Sequence, residues 1–157
     1  MAIDPKQVHA RVMIQNIKSG RYLSIEGDNS NWSKDDASLT IRDSLNLPVL
    51  ESPQVWNIIQ IRKSSWILLN QYSMNVACIR GRSTDNGATV IQYHTQGIAF
   101  QEWDFRQLQN GNWLIRNQNS EKYIGPQNRS TANDHYCIQW DDQTGEDSYQ
   151  QWQFNPV

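Results

Sequence analysis

Short apolar runs separated by polar turns fill this chain from end to end, and the pattern recurs. Met13-Ile14-Gln15-Asn16-Ile17-Lys18-Ser19 leads into Tyr22-Leu23-Ser24. Ile67-Leu68-Leu69-Asn70-Gln71-Tyr72-Ser73 leads into Val76-Ala77-Cys78, and Leu114-Ile115-Arg116-Asn117-Gln118-Asn119-Ser120 into Tyr123-Ile124-Gly125. A third apolar or β-branched run follows in each unit: Leu39-Thr40-Ile41, Thr89-Val90-Ile91 and Tyr136-Cys137-Ile138. Each unit then closes on Gln-x-Trp, as Gln54-Val55-Trp56, Gln101-Glu102-Trp103 and Gln150-Gln151-Trp152. The tryptophans stand 47 residues apart (56 to 103) and 49 apart (103 to 152). A fixed period of this size marks a repeat architecture.

Each unit reads as strand, Asn/Ser turn, strand, polar loop, strand, loop, and a last strand beginning at Gln-x-Trp. The runs are four to six residues long, rich in Val, Ile, Tyr and Trp, and bounded by Gly, Asn, Asp and Ser. No helical periodicity competes with them. Asn110-Gly111, between Phe105-Arg106-Gln107-Leu108 and Trp113-Leu114-Ile115, predicts a hairpin joining units two and three. Asp85-Asn86-Gly87 and Glu26-Gly27-Asp28 read as turns. About twelve strands follow, four per unit. A propeller needs four or more blades, and a solenoid of three units needs caps at both ends. A six-stranded barrel closed by three hairpins needs neither. The expected fold is therefore all-β, a β-trefoil spanning 1–157 as one domain, with repeats at about 11–58, 65–105 and 112–154. Trp56, Trp103 and Trp152, each with Ile58, Phe105 or Phe154 two positions on, are expected in the core.

Composition narrows the function by exclusion. The formal net charge is −2 and the pI about 5.9, and no basic patch stands out, so nucleic acid is not an expected partner. No run of 18 apolar residues predicts membrane insertion. Met1 to Gln7 lack the apolar centre of a secretory signal. A cytoplasmic location is the expectation, with a non-classical secretion route as the alternative. The two sequons, at Asn31-Trp32-Ser33 and Asn128-Arg129-Ser130, are then chance matches. Cys78 and Cys137 occupy different places in their repeats and fit reduced, buried thiols. His9, His94 and His135 lack metal-ligand spacing, and no carboxylate pair stands out as a glycosidase's would. Neither catalysis, a metal ion nor a cofactor is expected.

The triple Gln-x-Trp with its Asn-x-x-Ser openings resembles the ricin-B-type β-trefoil lectins over residues 11–154. The match is strongest in repeat two, from Ile79-Arg80-Gly81 through Val90-Ile91-Gln92-Tyr93-His94 to Gln101-Glu102-Trp103. The resemblance implies carbohydrate binding, with glycans as partners. In that family each repeat can pair an aromatic ring, under the C–H face of a pyranose, with Asp, Asn or Gln that bond its hydroxyls. The aromatic falls about ten residues before the Trp. Tyr93 holds that place in repeat two and Trp140 in repeat three, with a longer loop. Repeat one has Asp43 nearby and no aromatic, although Trp32 lies in its earlier loop. The polar candidates are Asp85, Asn86, Gln92 and His94 for repeat two, and Asn128, Gln139 and Asp141, with Gln127 and Asp142, for repeat three. The chain departs from the family at one point. The acid of a Leu-Asp-Val step is replaced by Ser24, Cys78 and Gly125.

The expected function is thus a lectin engaging glycans multivalently through shallow sites in repeats two and three. The alternative is a protein-binding trefoil, such as a protease inhibitor using a surface loop. The loop from Asp43 to Pro53 is the candidate, because Leu45-Asn46-Leu47-Pro48-Val49-Leu50 is apolar where polar residues are expected. The same stretch would equally suit a further strand or a subunit contact in a homo-oligomer.

Overall fold

The computed structural model describes residues 2–7, 11–145 and 147–157; His9 lies outside them. Twelve strands are present among the described residues, and four belong to each repeat. Repeat one contributes β1 (Arg11–Asn16), β2 (Tyr22–Ile25), β3 (Leu39–Arg42) and β4 (Val55–Arg62). Repeat two contributes β5 (Ser65–Asn70), β6 (Val76–Ile79), β7 (Val90–Tyr93) and β8 (Trp103–Gln107). Repeat three contributes β9 (Trp113–Asn117), β10 (Tyr123–Pro126), β11 (His135–Trp140) and β12 (Trp152–Pro156). The helical content of the described residues is four single turns of 3-10 helix.

The first and last strands of each repeat form a closed barrel. β1 pairs with β4, β4 with β5, β5 with β8, β8 with β9, β9 with β12, and β12 returns to β1. Closure removes the exposed sheet edges that would invite aggregation. The middle strands form three hairpins, β2–β3, β6–β7 and β10–β11. These meet around the pseudo-three-fold axis through Tyr136 against Thr40, Ser38 against Ile91 and Thr89 against Ile138. This is a β-trefoil, the architecture that the triple period predicts.

The Gln-x-Trp motif builds this arrangement. Trp56, Trp103 and Trp152 are fully buried. Each indole N–H donates to one backbone carbonyl: Leu23 at 3.0 Å, Ala77 at 3.0 Å and Ile124 at 3.1 Å. The ring thereby fills the core while its polar edge ties the barrel to the hairpin. Phe105 and Phe154 meet edge to face 5.4 Å apart at the next inward positions. The motif's glutamine is also buried. Its amide spans a loop in every repeat, joining Gln54 to Asp43 and Leu45, Gln101 to His94 and Gln96, and Gln150 to Asp141 and Gln143.

The Asn-x-x-Ser openings have an equally specific role. Asn16, Asn70 and Asn117 are fully buried. Their side-chain N–H groups donate to the carbonyls of Tyr149, Pro53 and Phe100, in each case the residue just before Gln-x-Trp. Their Oδ1 atoms accept backbone N–H groups of the following turn, including Ser19, Ser73 and Ser120. One short amide therefore closes its own turn and fixes the residue that ends a neighbouring loop, satisfying groups whose burial unpaired would cost about 1–3 kcal/mol each.

Candidate functional site

The same backbone bonds recur around each hairpin and set the equivalent positions. Asp36 donates its N–H to Gln92 O, Gly87 to Gln139 O, and Asp134 to Ile41 O. One step further along, Tyr93, Trp140 and Arg42 occupy matching places at the ends of β7, β11 and β3. Two clefts open beside the aromatics. The repeat-three cleft, about 300 Å³, lies between Trp140, Tyr149, Arg129 and Gln143 and reaches Gly87 of repeat two. The repeat-two cleft, about 240 Å³, lies between Tyr93, Phe100, Arg82 and Gln96 and reaches Asp36 of repeat one. Each site is thus walled on one side by the preceding repeat.

The two clefts share a construction. An aromatic residue just before Gln-x-Trp, Phe100 or Tyr149, forms a second apolar wall. It lies over the position where the family carboxylate is missing. Cys78 packs with Phe100 and Ile91. A Cβ on Gly125 would sit 2.8 Å from the Tyr149 ring. The small residues at 78 and 125 and the rings at 100 and 149 are therefore one feature: the ring takes the room an acid would use. Above each ring lies an arginine, with Arg82 5.3 Å from the Phe100 centroid and Arg129 5.5 Å from that of Tyr149. Both arginines follow another residue of positive φ, Gly81 at 65° and Asn128 at 55°, and themselves have φ of 55° and 56°. A left-handed non-glycine residue costs about 1–2 kcal/mol. Both aromatic-bearing repeats carry that strain, and in both the guanidinium lies within cation–π distance of the ring.

Repeat one is built differently at the same places. Arg42 replaces the aromatic, with its Nε 2.7 Å from Asp134 and Nη1 donating to Gly27 O at 2.6 Å. Pro53 replaces the second ring. The sequence places Asp43 near this position with no aromatic; the matching residue is Arg42, one position earlier. Trp32 is no substitute ring. It is buried, its Nε1–H donates to Gly27 O, and it stands edge to face on Tyr72.

The predicted polar residues fall into three groups. Gln92 and Gln139 are fully buried and saturated. Gln92 Nε2 donates to Trp32 O and Lys34 O while Oε1 accepts the Ser73 hydroxyl; Gln139 repeats this with Ser83, Asp85 and Ser120. These glutamines hold the incoming loop of the preceding repeat and face no cleft. Asp85 and Asn86 belong beside repeat three: Asn86 exchanges two bonds of 2.9 Å with Asp141, and Asp85 presents only its carbonyl to Gln139. The equivalent in repeat two is Asp35, which accepts the N–H of His94 and pairs with its Nδ1 at 2.9 Å. His94 stacks on Tyr93 with centroids 4.4 Å apart, outside the cleft proper. Asn128 lines the repeat-three cleft directly.

Sequence reading missed Phe100, Tyr149, Arg82, Arg129, Gln96, Gln143 and Asp36. A signal existed for the rings, since both directly precede Gln-x-Trp. The arginines sit at matching distances from Tyr93 and Trp140, but their left-handed backbone is invisible in sequence. The two thiols are buried and free. Burial, with the charges of Asp36 and Asp35 adding to it, pushes Cys78 up to about 12; burial alone raises Cys137 as well.

A family model described as a ricin-type beta-trefoil lectin domain-like region matches residues 4–93, more than half of the chain. The chain belongs to this lectin-like family. Among solved structures it is similar to ThreeFoil, a designed three-fold symmetric protein, at a TM-score of 0.84 and 23% identity over 94% of this chain and 99% of that one. It is similar to the Macrolepiota procera ricin B-like lectin, solved in complex with lactose, at 0.77 and 16%, covering 96% of this chain and 99% of that one. The Polyporus squamosus lectin, bound to Neu5Aca2-6Galb1-4GlcNAc, aligns at 0.78 and 17%, covering 96% of this chain and 50% of that one. These likenesses are of fold. No curated protein matches the sequence significantly. Family membership supports carbohydrate binding as the general function of the chain.

Proposed function

We propose that the protein is a multivalent, non-catalytic lectin that takes one sugar in the repeat-two cleft and one in the repeat-three cleft. The observation carrying this reading is the duplicated aromatic corner, Tyr93 with Phe100 and Trp140 with Tyr149, opening beside Gln96 or Gln143. A pyranose lays its C–H face on Tyr93 or Trp140, its edge meets the second ring, and the amides accept and donate to hydroxyls. Repeat one binds no sugar in this reading, because Arg42 closes onto Asp134 where the ring would be.

Each site is shallow and its hydrogen bonds compete with water, so monosaccharide affinity is about 0.1–1 mM. Useful affinity arises when both clefts of the rigid barrel engage a glycan-coated surface, with a gain of about 10²–10⁴. A glycan array followed by surface binding of Tyr93→Ala, Trp140→Ala and the double variant tests this. Each single variant should still bind free sugar through the other cleft and lose most of its binding to a dense surface. Unchanged surface binding by both single variants would refute multivalency. Unchanged sugar affinity in the double variant would refute the sites.

A further inference from the structure

Among the differences between the repeat-two and repeat-three clefts, one exchange is correlated. Repeat three has Gly87 where Asp36 lines the repeat-two cleft, and Gln127 where Arg80 opens the matching 3-10 turn. Asp36 comes from repeat one, and its backbone is fixed in the left-handed region at φ 71° by its N–H to Gln92 O. Arg80 grips it twice, with Nη2 donating to the Asp36 carbonyl at 3.0 Å and Nε to Oδ1 at 3.1 Å. Among the described residues Oδ2 has no hydrogen-bond partner, and the side chain is 60% exposed. Asp36 lines the same cleft as the Tyr93 ring. In repeat three, a Cβ added at Gly87 would touch the Trp140 ring at 3.6 Å. The charge of Asp36 also reaches Cys78, where the family carries its carboxylate.

Resting on the carbohydrate reading above, we propose that Asp36 is the hydroxyl-gripping carboxylate of the repeat-two cleft, supplied across the repeat boundary in place of the missing family acid. The two sites are then unequal. The repeat-two site selects neutral pyranoses that present adjacent hydroxyls beside the face stacked on Tyr93. The repeat-three site, without a carboxylate at that place, relies on stacking and amides. Arg80 positions the carboxylate and leaves its second oxygen for the ligand, since each carboxylate oxygen can accept two hydrogen bonds.

The test is a heteronuclear NMR titration of the whole chain with the methyl glycosides of glucose, galactose, mannose and N-acetylglucosamine. Backbone amides of Tyr93 and His94 report one cleft, and the Trp140 indole reports the other. Asp36→Asn keeps the shape and removes the charge; Asp36→Gly suits the left-handed backbone and removes the side chain. Both should weaken repeat two about tenfold or more and leave repeat three unchanged, because hydrogen bonds to an ionised acceptor are roughly twice as strong as neutral ones. A deoxy form of the tightest glycoside, lacking one of the adjacent hydroxyls, should bind wild type more weakly while Asp36→Asn binds both forms alike. Sugar binding at repeat two that ignores both substitutions, or an equal loss at both clefts, overturns this inference alone. No shift at either cleft with any of the four glycosides overturns the carbohydrate reading and this inference with it.

Discussion

Gly125→Ala is the sharpest test of how the clefts are built. Gly125 lies in β10 with an ordinary extended backbone, so alanine there meets no conformational barrier. By itself the change should stabilise by about 0.5–1 kcal/mol through reduced chain entropy. Its Cβ, however, would stand 2.8 Å from two carbons of the Tyr149 ring and 3.2 Å from Gln150 Cγ. Tyr149 cannot retreat freely. It is 3% exposed, its hydroxyl donates to Gln143, and its carbonyl is held by Asn16. Overpacking of this kind costs about 1–3 kcal/mol. Taking the middle of each range, the balance is a net loss of about 1 kcal/mol, or a fall in Tm of about 2–4 °C for a chain of this size. Thermal unfolding measures it. Tyr149→Ala removes the obstacle, so Gly125→Ala introduced on that background should be neutral or stabilising, a coupling a double-mutant cycle reads directly. Equal destabilisation by Gly125→Ala on both backgrounds would refute the claim that the ring has displaced the family acid.

Trp103→Ala should destabilise by about 3–5 kcal/mol in denaturant unfolding, as expected for a buried aromatic. Trp103→Phe should recover only part of that, because it leaves the Ala77 carbonyl without its donor. With their pKa values raised by burial, so that the reactive thiolate is suppressed, Cys78 and Cys137 should resist a thiol reagent at neutral pH until the protein unfolds, then react together. The Lys18 hydrogen bond, aided by the Ser148 N–H against partial desolvation, holds Asp147 below its usual 3.8. A lowered folded-state value means that this contribution is present above the unfolded value and is lost as pH falls through the folded one. Asp147→Asn should therefore flatten the acid side of the stability profile below about pH 4 and leave the neutral region little changed in slope.

Much of the fold follows from local pattern. The strand alternation, the Asn/Ser turns and the triple Gln-x-Trp identify a trefoil because each repeat must bury one tryptophan and cannot do so alone. Tyr93 and Trp140 were readable as candidate stacking rings from their distance to that tryptophan. Gln92 and Gln139, by contrast, look like ligand residues in sequence and prove to be loop clamps. A polar side chain beside an aromatic gives no sign of whether it faces solvent or, as Gln92 does, two backbone carbonyls and a serine hydroxyl. Only the tertiary structure decided the composition of the clefts, because each is assembled across a repeat boundary. Asp36 reaches the cleft of Tyr93 from 57 positions away, and Asn86 meets Asp141 across 55. The left-handed backbone that lifts Arg82 and Arg129 over their rings is likewise a property of the packed loop. Local preference opposes that conformation, and only contacts made after folding can hold it.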